Sequence, residues 1–155
     1  MLLLSVILSE HLEYIDFQVV LHDNPYPSDI FIHTMSVENH YMGIIDSTLN
    51  IKWYINSGYR GIDFKVNQDW LSYFDKQNQS WILLNTFMIE TDTLEFFGGP
   101  LADYHDIQIF DTGGYILQSH DSSFVDMSNF VENGQWANIK FLLIQEFDHN
   151  HNLVF

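Results

Sequence analysis

The chain has 155 residues, the size of one ordinary domain, and carries 21 acidic against 5 basic side chains, a net charge of −16. Its 46% hydrophobic and 16% aromatic content is core-forming material, which excludes a disordered polyanion. The charge argues against direct contact with nucleic acid or an anionic lipid surface, and the absence of cysteine excludes disulfides and thiolate chemistry and fits a reducing cytoplasm.

The opening MLLLSVILSE has no basic lead and no small-residue cleavage site before Glu10, so it reads as the start of a buried strand or helix rather than a leader. No apolar run approaches the roughly 18 residues of a membrane span. YIDFQVVL follows, with Ile15, Phe17, Val19 and Leu21 alternating against Asp16 and Gln18, the period of a strand. Pro25 and Pro27 in DNPYPSD mark a loop. LNIKWYIN and GIDFKVN repeat the alternation, with Ile62, Phe64 and Val66 on one predicted face, and NSGYRG between them reads as a hairpin loop.

Two stretches have helical spacing. NQDWLSYFDKQ, 67–77, places Trp70, Leu71 and Phe74 behind a capping Asn67 or Asp69. SSFVDMSNFVENG, 122–134, places Phe124, Met127 and Val131 near one face with Gly134 as a stop. Between them WILLNTFMIETDTLEFF is long enough for a helix, yet its Thr, Ile and Phe lean toward strand. GGP at 98–100 breaks the chain, and IKFLLIQEF and LVF flank DHNHN as a final hairpin. The predicted fold is a single α+β domain over 1–155, mainly antiparallel sheet with one or two packed helices.

IFDTGGYIL, 109–117, poses the sharpest question of chemistry. Asp-Thr-Gly is an aspartic-protease signature, and that chemistry needs two carboxylates about 3 Å apart. One copy is present, and no later segment matches the one that braces such a loop. A turn between DIQIF and YILQS accounts for every letter, with Gly113 and Gly114 free to take positive φ. His149 and His151 form an H-x-H beside Asp148, which makes a His/Asp metal-dependent enzyme an alternative, although no third ligand has supporting spacing. No phosphate-binding loop, nucleophile elbow or H-E-x-x-H occurs. The chain therefore does not read as an enzyme, and no cofactor is expected.

The charge map is more informative. From Met1 to Ile51 there are seven acids and no Lys or Arg; from Gln77 to Ile139 there are nine acids and again no base. Close acids repel one another on neighbouring strands, and a basic partner would offset this. Aromatic residues lie among them, and carboxylates around aromatic anchors suit a protein interface. The expected partner-binding set is Asp92, Glu95, Asp103, Tyr104, Asp106, Asp111, Asp121, Asp126, Glu132 and Trp136, with the hairpin 103–121 at its centre.

In charge, size and class the chain resembles the acidic bacterial immunity proteins that neutralise toxins between competing cells. That resemblance implies a cytoplasmic inhibitor that binds and blocks a basic toxin, such as a nuclease, by electrostatic complementarity. Phage-encoded acidic proteins that mimic nucleic acid and inhibit defence proteins are the other group of similar character, although no double row of carboxylates at phosphate spacing is visible.

Overall fold

A computed structural model describes residues 20–35, 40–132 and 134–155. Among these residues ten strands run in chain order: β1 Ile30–Met35, β2 His40–Ile45, β3 Ile51–Gly58, β4 Gly61–Asn67, β5 Trp70–Asp75, β6 Ser80–Leu84, β7 Glu90–Leu94, β8 Ile107–Ile109, β9 Tyr115–Asp126 and β10 Trp136–Phe147. Among the described residues there is no helix, which corrects the α+β expectation to all-β.

The strands form three antiparallel sheets, ordered β1-β2-β3, β4-β5-β6-β7 and β10-β9-β8. The middle sheet is covered on both faces. Tyr73, Ile82 and Leu84 join Met42, Ile44 and Phe64 in a core against the first sheet. Phe74, Trp81 and Leu83 join Ile109, Tyr115, Leu117 and Phe147 in a second core against the third sheet. Double burial explains why the helix prediction at 67–77 fails. A strand with two apolar faces loses its alternation, so WLSYFD becomes β5, with Tyr73 and Phe74 pointing into opposite cores. SWILL is buried at every position. The ambiguous run 81–97 resolves into β6, a turn, and β7.

The other predicted helix, 122–134, begins as the end of β9, because its first residues pair with β10 from Ser122↔Lys140 to Asp126↔Trp136. The N-terminal apolar segment and most of YIDFQVVL lie outside the described residues; Leu21 is exposed and not in a strand.

Two further expectations change. The turn at NSGYRG exists, with Arg60 N–H donating to the Ser57 carbonyl oxygen at 3.1 Å. β3 and β4 nevertheless belong to different sheets, so the turn carries the chain from one layer to the next. Gly61 permits that crossing: a Cβ there would meet Met42 Sδ at 2.5 Å. Within β4, Ile62 and Phe64 do not share a face. Asp63 takes a left-handed conformation (φ 50°) and the pairing with β5 shifts between Ile62 and Lys65. This bulge sends Ile62 into one core and Phe64 into the other.

One loop design recurs. In 46–50, 85–89, 110–114 and 148–152 the first residue's N–H donates to the fifth residue's carbonyl, and the fourth residue's N–H donates to the first residue's carbonyl. The fourth residue is left-handed each time: Leu49, Met88, Gly113 and His151. These are three-residue hairpin loops with a bulge at the left-handed position. In three of them the first side chain, Asp46, Asn85 or Asp148, also accepts the third and fifth N–H groups. The DTGG stretch is the fourth: Gly113 has φ 82° and Asp111 sits exposed at the tip, as the turn reading expects.

Candidate functional site

β9 and β10 pair through twelve positions without a shift, from Phe147↔Tyr115 to Trp136↔Asp126. β8 covers only the foot of this ribbon, pairing with residues 115–117. Among the described residues the outer part, 120–126 with 136–142, has no other strand beside it; it extends about 20 Å at roughly 3.3 Å per residue. This arm is apolar on both faces. Register places Phe141, Ile139 and Val125 on the side continuous with the buried Tyr115 and Leu117; Leu142, Ile144, Phe124 and Trp136 lie on the other. Phe124 and Trp136, diagonal neighbours, are 68% and 67% exposed, and Phe130 in the tip is 75% exposed. The tip is tight: Ser128 N–H donates to Asp126 Oδ1 at 2.9 Å, and Gly134 N–H donates to the Val131 carbonyl at 2.8 Å.

The arm's charges are Asp121, Asp126, Glu132 and Lys140, all exposed. Among the described residues none of the four makes an ion pair. Asp121 lies opposite Phe141, and Asp126 opposite Trp136.

At the root of the arm, Asp103 is held by histidines. It accepts from His105 through its side chain and backbone, and from His120 Nδ1 at 3.2 Å. Burial pushes the Asp103 carboxyl up, but these hydrogen bonds outweigh it and hold the group below the usual carboxylate range. Tyr104 stacks on His105 with ring centroids 4.1 Å apart. The buried Trp81 donates its indole N–H to the Asp103 carbonyl at 3.1 Å, tying the loop to the core.

The structure therefore brings Asp121, Asp126, Glu132 and Trp136 together on the arm, with Asp103 and Tyr104 at its base. The other sequence-predicted residues lie elsewhere. Asp106 is neutralised by Lys65 at 2.9 Å, and Asp92 contacts His151 Nε2 at 3.1 Å. Glu95 is exposed just beyond β7, and Asp111 caps the opposite end of β9. Sequence reasoning missed Ile139, Phe141, Leu142 and Ile144. Their signal was the run IKFLLI, apolar at both parities in a strand that, among the described residues, only β9 accompanies along this stretch.

His149 and His151 do not converge. His149 Nε2 contacts Asn150, while His151 spans Tyr115 OH at 3.2 Å and Asp92. Burial, then the nearby Asp92, Asp148 and Glu95 charges, push the Tyr115 hydroxyl up to about 12. No group of three His, Asp or Glu side chains among the described residues could hold a metal ion.

A cavity of about 820 Å³ opens between the first and middle sheets, lined by Phe31, Trp53, Trp70 and Met88. Much of its polar rim is already engaged. Lys52 pairs with Asp29 at 2.7 Å, Asn85 caps its own turn, and Thr91 donates to the Leu83 carbonyl at 3.2 Å. No helix among the described residues is long and apolar enough to cross a membrane.

No family model and no solved structure matches the chain. A curated protein, the small ribosomal subunit protein uS3 of Borrelia hermsii, is 47% identical over 47 residues, which are 29% of this chain and 17% of that protein. So short a share of both chains assigns no family.

Proposed function

We propose that the protein is a cytoplasmic acidic inhibitor that binds and blocks a basic protein, of the nuclease-toxin type, through the arm formed by β9 and β10. One observation carries this reading. Exposed Phe124 and Trp136 share one face of the ribbon with Asp126; Phe130 and Glu132 lie at its tip, and Asp121 lies on the opposite face beside Phe141. Among the described residues none of the three acids makes an ion pair. A two-stranded ribbon has little stability of its own in water, and exposed aromatics with carboxylates beside and behind them suit a surface that meets Lys and Arg. The net charge of −16 would steer the encounter, and arginine forks on the carboxylates would hold it. The acids already satisfied by Lys65, His105, His120 and His151 support the scaffold and stand outside the contact set.

The test is titration calorimetry against a panel of cationic nucleases at low and high salt, with inhibition measured in parallel. Binding is expected to weaken with salt, and Trp136→Ala to weaken it at least tenfold without changing stability. The double variant Asp121→Lys, Asp126→Lys is expected to weaken it at least a hundredfold. Equal affinity of this double variant and the parent would remove the arm from consideration.

A further inference from the structure

Among the described residues no strand covers the outer edge of β10 over most of its length, and Glu146 shows which residues face outward. Its N–H donates to the Phe155 carbonyl oxygen at 2.8 Å and its carbonyl accepts from Val154 N–H at 2.8 Å, on the side away from β9. Backbone direction alternates along an antiparallel strand, and the pairing with β9 has no shift. Ile144, Leu142, Lys140, Asn138 and Trp136 therefore point their N–H and C=O groups the same way as Glu146. Among the described residues none of these five has a backbone partner on that side. The chain itself shows what the edge accepts: residues 153–155 lie along its foot, with Leu153 bridged to Phe147.

We infer that β10 takes an extended segment of the basic partner as an added strand. The inference rests on the partner being basic, as proposed above. The row from Trp136 to Ile144 is nine residues, roughly 30 Å of strand. Its neighbours on the two faces are Ile139 and Phe141, and Leu142 and Ile144, which suit β-branched side chains. Lys140 is the one charge between Trp136 and Gln145. Carboxylates stand at the ends and one strand behind: Glu146 at the foot, Asp121 and Asp126 on β9, and Glu132 at the tip. The fitting segment is thus apolar in its middle with Lys or Arg at both ends. A second copy fits poorly. It would bring another chain of −16 to the same edge, with a second Lys140 and no nearby carboxylate on β10 before Glu146. Strand addition draws its affinity from main-chain hydrogen bonds, and an open apolar edge is the feature that it uses.

The probe is a synthetic nine-residue peptide of alternating valine and threonine with lysine at both ends. Its binding is followed by amide hydrogen exchange in the full chain. Saturating peptide is expected to slow exchange at Asn138, Lys140, Leu142 and Ile144 at least tenfold. Phe141 and Leu143, whose N–H groups face β9, are expected to stay protected throughout. Leu142→Pro removes one outward N–H and obstructs the edge while leaving the β9 bonds in place, and is expected to weaken the peptide at least tenfold. Binding without slowed exchange at those four amides overturns strand addition. So does absence of peptide binding at millimolar concentration, or protection that rises with protein concentration alone as sedimentation shows a dimer. The two readings fail separately: a cationic nuclease that responds to charge reversal at Asp121 and Asp126 but not to Leu142→Pro leaves the inhibitor reading intact and removes the added strand.

Discussion

Asp75→Asn tests the reasoning about the middle sheet most directly. The Asp75 side chain is fully buried and meets four donors: Arg60 Nε at 2.7 Å, Asn78 Nδ2 at 2.9 Å, and the N–H groups of Gln77 and Asn78 at 2.9 and 3.2 Å. An asparagine keeps the shape, and its oxygen can still accept the two backbone bonds. Its amide would then face Arg60 Nε and Asn78 Nδ2, donor against donor. Two bonds are lost, one charge-assisted, and buried donors are left unmatched. Breaking a buried pair costs roughly 3–5 kcal/mol. Arg60 is partly exposed and keeps Glu90 at 3.3 Å, which places the loss at the low end, about 3 kcal/mol. For a chain of this size that lowers Tm by roughly 6–12 °C. The assay is urea unfolding followed by tryptophan fluorescence, with an unchanged slope as the sign that stability alone moved. Burial raises the Asp75 pKa, but Arg60 and Asn78 overcome it and the group stays below its ordinary value. A depressed carboxyl stabilises above its unfolded pKa of about 3.9 and loses that contribution as pH falls through the folded value. The gap between variant and parent should therefore be full at neutral pH and close in acid. A loss under about 1 kcal/mol at neutral pH, or a gap indifferent to acid, would refute the argument.

Three further outcomes are expected. Gln79 is exposed at φ 52°, so Gln79→Gly should stabilise by about 0.5–1 kcal/mol in the same unfolding assay. Gly61→Ala forces its new Cβ toward Met42 and Ser57, whose nearest atoms lie at 2.5–2.7 Å, and should cost about 1–3 kcal/mol by thermal melting. Tyr115, whose pKa is raised to about 12, favours the fold below the unfolded value of about 10 and loses that contribution as pH rises through 12. Stability should fall across that alkaline interval, and Tyr115→Phe should flatten the fall, as read by denaturation at a series of pH values.

The hairpins at 110–114 and 148–152 were legible in the sequence, whereas those at 46–50 and 85–89 were not. The chemistry of the first two is local: Gly113, Asp148 and Asn152 announce a reversal whatever packs above them. Alternation was legible only where one face meets solvent. Tyr73 and Phe74 face different cores, so the stretch around them reads as a helix. The bulge at Asp63 is silent in sequence, since a left-handed aspartate has no periodic signature, and it reverses the facing of Phe64. At the candidate site, Trp136 and the acids near it could be named from charge and aromatic mixture. The apolar run 139–144 could not be assigned to a surface, because burial depends on a layer that, among the described residues, stops at β8. Asp92 and Asp106 show the converse limit: an acid without a nearby base in sequence found one, or a histidine, across the fold.

The middle sheet makes the two cores thermodynamically inseparable. Peeling away either outer layer would wet the back of the strands that floor the other, so both should melt in one transition, whichever face a mutation weakens. The arm borders neither core beyond its foot. Its amides are accordingly expected to open by a separate, cheaper route, leaving the part best placed to recruit another molecule as the part the rest of the molecule can best spare.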